Sequence, residues 1–290
     1  MSRNATLGGI VMFATAVALF ATLDTTAKWL MSTGLAALQV AFVRYAGHLV
    51  ATLAVTLPRQ GLGVLRSVDP RLQLARSLCL LGSTGLNFVA LSYLPLTTVT
   101  AIMFASPVIV TLLAVPLLGE RVGLMQFAAI LLGFLGVLIV VSPWDAELHW
   151  AIFLSLGSCI CTSVYFILSR MLAREATATQ QIWASGIATL FLAPLAFWQW
   201  QEPSGPLVVL MMCLIGLFGA SSHSLVTLAH RMADASVLAP VVYLQLLFAT
   251  IGGYVVFHQV PGASTLLGAM VIIAGGVLLW PVSYTHLTLP

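Results

Sequence analysis

Continuous apolar runs separated by short polar breaks fill the chain from near its first residue to about residue 281, at 7–30, 36–57, 72–91, 96–118, 123–142, 149–170, 177–200, 206–229, 235–257 and 263–281. Each approaches the roughly 20 apolar residues that carry a helix across a bilayer. The runs do not alternate, and each is about twice the ~10-residue strand of a membrane barrel. The pattern therefore predicts an all-α integral membrane protein of ten transmembrane helices. The first run is too long for a signal-peptide core and shows no convincing cleavage site before Asp24, so it is read as the first span.

Composition narrows the class further. Of 290 residues, 60% are hydrophobic and 7% charged, against about 25% charged in a soluble domain. The longest break, from Pro58 to Arg71, leaves no room for a soluble domain, so any function must sit among the helices. Cys79, Cys159, Cys161 and Cys213 all fall inside predicted spans without zinc-ligand spacing, which makes them packing residues and gives no metal site.

Charge sets the expected orientation. With the N-terminus inside, Arg3, Arg59, Arg66, Arg71, Arg76, Arg121, Arg170, Arg174 and Arg231 fall in loops or span ends on the cytoplasmic side, while the opposite breaks carry Asp145, Glu147 and Glu202 and no base. Both termini are then cytoplasmic. Trp29, Trp144, Trp150, Trp198, Trp200 and Trp280 lie near span ends and read as an interfacial belt, with Trp183 deeper. The net charge of +3 is spread over separate loops with no dense patch, which argues against a nucleic-acid partner. Residues 282–290 lack the positive charge of a cytoplasmic end and are set apart from the fold as a tail that need not be native.

The two halves resemble each other. Residues 90–138 lie over 229–278 at an offset of 139 that becomes 140, pairing Ala90 with Ala229, Thr111 with Thr250 and Gly136 with Gly276. Spans one and two lie over six and seven, pairing Lys28 with Arg170 and Gln39 with Gln181. Two five-helix repeats are expected, 1–142 and 143–281. Because five is odd, the second enters the membrane from the other side, and inverted repeats of this kind hold solute near the midplane.

The stretch "LSYLPLTTVTAIMFASPVIVTLLAVPLLGERVGLMQFAAILLGFLGVLIVV", residues 91–141, with its proline-bearing span, tight "LGER" turn and glycine-rich span, resembles the drug/metabolite transporter superfamily, in particular its ten-span EamA-type members. The second half carries a looser copy with "FHQV" in place of the glutamate turn. "LDTTAKWL" followed by "LQVAFVRY" is similar to a subgroup that includes S-adenosylmethionine and riboflavin carriers. The resemblance implies a secondary transporter in a bacterial inner membrane that moves a small organic metabolite or drug by alternating access, as monomer or homodimer.

The candidate chemistry is a set of polar side chains inside the spans. An ionisable group in hydrocarbon costs about 2.5–3.5 kcal/mol, so Asp24, Lys28 and Arg44 are expected to face a central cavity and contact solute or couple a proton; the competing reading is a structural ion pair between spans one and two. Asp24 and Arg44 lie at similar depths and can pair, and Lys28, one turn above Asp24, can snorkel. His48 shares the Arg44 face as a relay or spacer. Ser106 and Gln245 are equivalent across the repeat, beside Pro107 and Pro240, and Tyr165, His223 and Tyr243 complete the expected substrate-binding set. Glu120 and Arg121 read as a helix-start turn. The only lysine lies in "TTAKW", so there is no P-loop, and neither GxSxG nor HExxH occurs. No catalytic residues or cofactor are expected. A non-transporting scaffold or a channel-like protein remains the alternative.

Overall fold

The computed structural model describes residues 3–118, 124–141, 149–172, 174–232 and 238–285. Its helices are α1 (Arg3–Ser32), α2 (Ala37–Gln60), α3 (Pro70–Tyr93), α4 (Leu96–Met103), α5 (Ser106–Leu118), α6 (Leu124–Val141), α7 (Ala151–Met171), α8 (Thr177–Trp198), α9 (Pro206–Met232), α10 (Leu244–Phe257) and α11 (Ala263–Thr285). Tighter 3-10 turns occupy Leu62–Leu65 and Ala239–Tyr243. No strand occurs among the described residues. Among the described residues six helices are long and apolar enough to cross a membrane, joined by shorter apolar helices over Leu96–Val110, Leu131–Val140, Val241–Phe257 and Ala263–Gly275.

Local chemistry sets the boundaries. Asp69 caps α3 by accepting from the Leu72 N–H at 3.0 Å, with Pro70 supplying the missing-donor first position. The same helix ends at Tyr93, two residues before Pro95, whose ring disfavours the α conformation at Leu94. The α1–α2 link turns through Gly34 at φ 102°, a region closed to most side chains. Where one span is expected over 96–118, the helix breaks at Phe104 and Ala105 into α4 and α5. The break has a counterpart: Tyr243, the residue 139 positions after Phe104, ends the second 3-10 turn and precedes α10.

The packing order shows how the halves interleave. Helix α1 lies against α9 and α10, α2 against α8 and α9, α3 against α7 and α8, α4 and α5 against α7, α4 against α10, and α6 against α11. Exchanging α1, α2, α3, α4–α5 and α6 for α7, α8, α9, α10 and α11 maps this set of pairings onto itself. Phe104 and Tyr243, equivalent in that exchange, meet edge to face at 5.3 Å and 87°. Backbones approach closely at Gly47 and Gly216, where α2 and α9 touch, and at Gly136 and Gly268, where α6 and α11 touch. Tyr45, Phe88, Leu30, Leu91 and Ile215 fill the dry core between the halves. Phe153, Leu190, Val255 and Met270 instead face outward, the apolar coat that lipid requires.

Candidate functional site

Helix α2 carries a buried polar face. Arg44, His48 and Thr52 recur every fourth residue, so they stack along one side of the helix. All three are buried, and each keeps a polar atom without a hydrogen-bond partner: Nε of Arg44, both ring nitrogens of His48 and Oγ1 of Thr52. The rest of the guanidinium is held. Its Nη1 donates to Thr84 Oγ1 at 3.0 Å, and its plane lies 4.6 Å from the Tyr45 ring centroid and 5.9 Å from that of Phe88. The Tyr45 hydroxyl completes the clamp, sharing a 2.6 Å bond with Thr84 and donating to the Leu80 carbonyl at 3.2 Å.

Opposite this face stands α9. The His223 ring stacks on His48 at 5.5 Å and 23°, and the edge of Phe20 from α1 closes on it at 5.1 Å and 83°. Gly216 makes the approach possible, since a Cβ there would lie 2.6 Å from the Gly47 Cα. One turn on, a Cβ at Gly219 would stand in ordinary contact with Leu23, His48 and Arg44. Gln181 on α8 comes near His48 without closing a hydrogen bond to either ring nitrogen. Asp24 on α1 is half-buried and within reach of the Arg44 charge.

The expected Asp24–Arg44 ion pair does not form: no salt bridge within 4 Å joins described residues, and the guanidinium turns toward Thr84 and its aromatic clamp instead. Lys28 does not snorkel either. It is buried, and its Nζ donates to the Leu91 carbonyl at 2.9 Å and to the Leu94 carbonyl, with the Phe257 ring centroid 5.5 Å away. Those carbonyls lie at the C-terminus of α3, where helix oxygens lack internal donors, so an ammonium satisfies them better than interfacial water could.

The other expected residues divide. Ser106 is bonded across to α7, 3.0 Å from Ser163 Oγ. The Tyr165 hydroxyl accepts from Arg76 Nη2 at 2.7 Å. Tyr243 packs on Phe104, and Gln245 is half-buried at the start of α10. The structure thus brings Asp24, Arg44, His48 and His223 together, while Lys28, Ser106 and Tyr165 tie helices to one another.

Charge counting along the sequence places Arg76 at a span end, and the structure buries it there, in the second turn of α3 beside the ends of α7 and α8. It is 4% exposed within α3, donating from Nε to Ser169 Oγ at 2.7 Å and from Nη1 to the Gln180 carbonyl at 3.2 Å, with its plane 4.4 Å from the Tyr165 ring centroid. Its "ARSLCLLGSTG" context, one arginine in an apolar run, is the signal that could have marked it. Trp150 and Trp198 are exposed at helix ends, and Trp183 donates from Nε1 to the Leu65 carbonyl at 3.0 Å. Glu120, Arg121 and Trp144 lie outside the described residues.

Among the described residues no three His, Cys, Asp or Glu side chains gather as metal ligands. What the α1, α2 and α9 cluster offers is a buried group of unused donors and acceptors beside aromatic rings, chemistry suited to holding a polar molecule rather than to breaking bonds.

The chain matches the model of the EamA-like transporter family twice, over residues 7–142 and 149–280. It is similar to a riboflavin transporter of Vibrio cholerae, 28% identical over 273 residues covering 92% of this chain and 91% of that one. It is also similar to an S-adenosylmethionine uptake transporter of Rickettsia prowazekii, 27% identical over 269 residues covering 92% and 90%. A crystal structure 17% identical in sequence shares the fold, with a TM-score of 0.68 and 99% of both chains covered.

Proposed function

This chain belongs to the EamA-like transporter family, and on that premise we propose that the buried polar cluster between α1, α2 and α9 opens into a recess that is the solute site of a secondary carrier. The protein is a multi-pass membrane transporter of small metabolites; the relatives named for riboflavin and S-adenosylmethionine support organic, ring-bearing solutes. The observation that carries the site is the set of buried polar atoms left without partners at Arg44, His48 and Thr52. An unused donor in hydrocarbon is costly, about 1–3 kcal/mol each, and a bound solute removes that cost.

The mechanism follows from the interleaving of the halves. Ten spans form two five-helix repeats, 1–142 and 143–281, inserted in opposite senses with both termini in the cytoplasm of a bacterial inner membrane. The self-mapping pattern of helix pairings and the Phe104–Tyr243 contact support this reading. Rocking of one repeat against the other exposes the recess to each side in turn, without ATP hydrolysis. Asp24, beside the solute yet not locked into an ion pair, takes and releases the coupling proton.

Purified protein in liposomes, tested with nucleosides, vitamins, amino acids and cationic amphiphiles, is expected to exchange at least one solute. If none moves, a scaffold replaces the carrier. Asp24→Asn is expected to abolish pH-gradient-driven uptake while leaving membrane insertion intact; uptake at the wild-type rate removes the proton role.

A further inference from the structure

One end of the bundle is fastened by polar bonds that run between residues 65–76 and residues 165–183. Every edge of the Arg76 guanidinium is used there: Nε donates to Ser169 Oγ at 2.7 Å, Nη2 to the Tyr165 hydroxyl at 2.7 Å and Nη1 to the Gln180 carbonyl at 3.2 Å. Gln73 Nε2 donates to the same carbonyl at 3.4 Å. From the link between α7 and α8, Glu175 turns its carboxylate onto the link between α2 and α3, where one oxygen accepts from Ser67 Oγ at 2.7 Å and from the Val68 N–H at 2.9 Å. Trp183 Nε1 adds a bond to the Leu65 carbonyl at 3.0 Å. The boundary is thus held by two charged arms, Arg76 reaching from the first half of the chain and Glu175 from the second.

The equivalent surface is built of different chemistry. Helices α3 and α9 end at Tyr93 and Met232, separated by the same offset of 139 that relates the halves. At that offset Gln73 and Arg76 correspond to Met212 and Ile215, both buried in the apolar core, and Pro206–Phe218 carries no charged, amide or hydroxyl side chain. This start of α9 belongs to the opposite end of the bundle, because Gln201 is bonded to Gln39 at the start of α2 at 2.8 and 3.0 Å. Apolar surfaces drawn apart lose their burial with nothing in exchange, whereas water entering at a membrane boundary takes over each bond that a guanidinium or carboxylate lets go. The bonded end can therefore part and reclose at smaller cost than the apolar one.

We infer that Arg76 and Glu175 are gating residues: their bonds hold shut the end of the bundle beside the α2–α3 link, and those bonds release when a solute passes there. This rests on the carrier reading and adds which contacts control access and at which end. Under the orientation proposed above that end is cytoplasmic, so the structure stands closed to the cytoplasm.

Thiol labelling reads the gate without a solute. In the full chain with Cys79, Cys159, Cys161 and Cys213 replaced by alanine, a single reporter is introduced as Thr52→Cys or as Thr26→Cys, and its rate of reaction with a charged methanethiosulfonate is measured in detergent. Both threonines are buried. Thr52 stacks below His48 on the α2 face that meets α9, so local fraying of the latch leaves it covered and only a parting of the halves exposes it. Thr26 lies nearer the opposite end, close to where α1 stops at Ser32. Arg76→Gln removes the guanidinium, and Glu175→Ala removes the other arm from a link outside the helices, so it decides the matter if the first variant fails to fold. Each is expected to raise the Thr52→Cys rate at least about tenfold, the population shift that losing one charge-assisted hydrogen bond gives, without raising the Thr26→Cys rate. An unchanged Thr52→Cys rate makes the latch a static tie, and a rise at both positions makes it a general brace; either result overturns the inference. The liposome assay stands apart, since failure of all solute exchange there overturns the carrier reading whatever the labelling rates.

Discussion

At the scale of single residues, the molecule separates cations that hold the fold from those that face the recess. Lys28 belongs to the first kind. Its ammonium satisfies the Leu91 and Leu94 carbonyls at the end of α3, bonds no donor on α1 could replace. Lys28→Met removes the cost of a buried charge, about 2.5–3.5 kcal/mol, but strands two carbonyls at several kcal/mol each in lipid. The second effect prevails, so the variant should melt at lower temperature in detergent while its solute affinity changes less than twofold; a stabilised variant would refute the assignment. Asp24, Arg44, His48 and His223 can be picked out of the sequence as charges or imidazoles in apolar runs. Their partners could not. The acceptors of Lys28 are main-chain oxygens on another helix, and Thr84, which diverts Arg44 from Asp24, is an ordinary threonine until the fold sets it 3.0 Å away.

At the scale of helices, the decisive contact is backbone on backbone. A methyl at Gly216 would meet the Gly47 Cα at 2.6 Å and the His48 nitrogen at 3.0 Å, atoms that cannot swing aside. Gly216→Ala therefore forces α2 from α9, at about 1–3 kcal/mol, and separates the imidazoles of His48 and His223. Gly85 on α3 is the matched control, because an added Cβ there meets nothing within 4 Å. Gly85→Ala should gain up to about 1 kcal/mol from helix propensity. Melting curves of both variants check this, and equal behaviour would remove the role of the α2–α9 contact. Hydropathy located the long helices to within a few residues, as with 206–229 expected and Pro206–Met232 found. It missed the break at Phe104 and Ala105, since two residues leave a window average unchanged. It also gave no sign that the guanidinium of Arg76, at its span end, is buried, because counting positive charge does not register that Tyr165, Ser169 and Gln180 can hold it.

At the scale of the whole molecule, orientation is the property on which the carrier mechanism depends. Placing the Arg59-to-Arg71 break in the cytoplasm and the break around Glu202 outside follows from positive charge alone. A fluorescent protein that folds only in the cytoplasm, inserted within 61–69, should glow, and alkaline phosphatase inserted within 199–205 should be active. The reverse outcome would invert the topology. The proposed repeat, faint in residue identities, is supported by the pairings of helices, which exchanging the two halves maps onto themselves.

Consider last the edge-to-face meeting of Phe104 with Tyr243. A residue touching its own counterpart stands on the line about which the two halves trade places, and points on such a line are displaced least when one half tips against the other. Under the proposed rocking these two rings act as a fulcrum. They stay pressed together through the cycle while the far ends of the helices swing, which confines the opening to the ends of the bundle and keeps a continuous leak from forming through its middle.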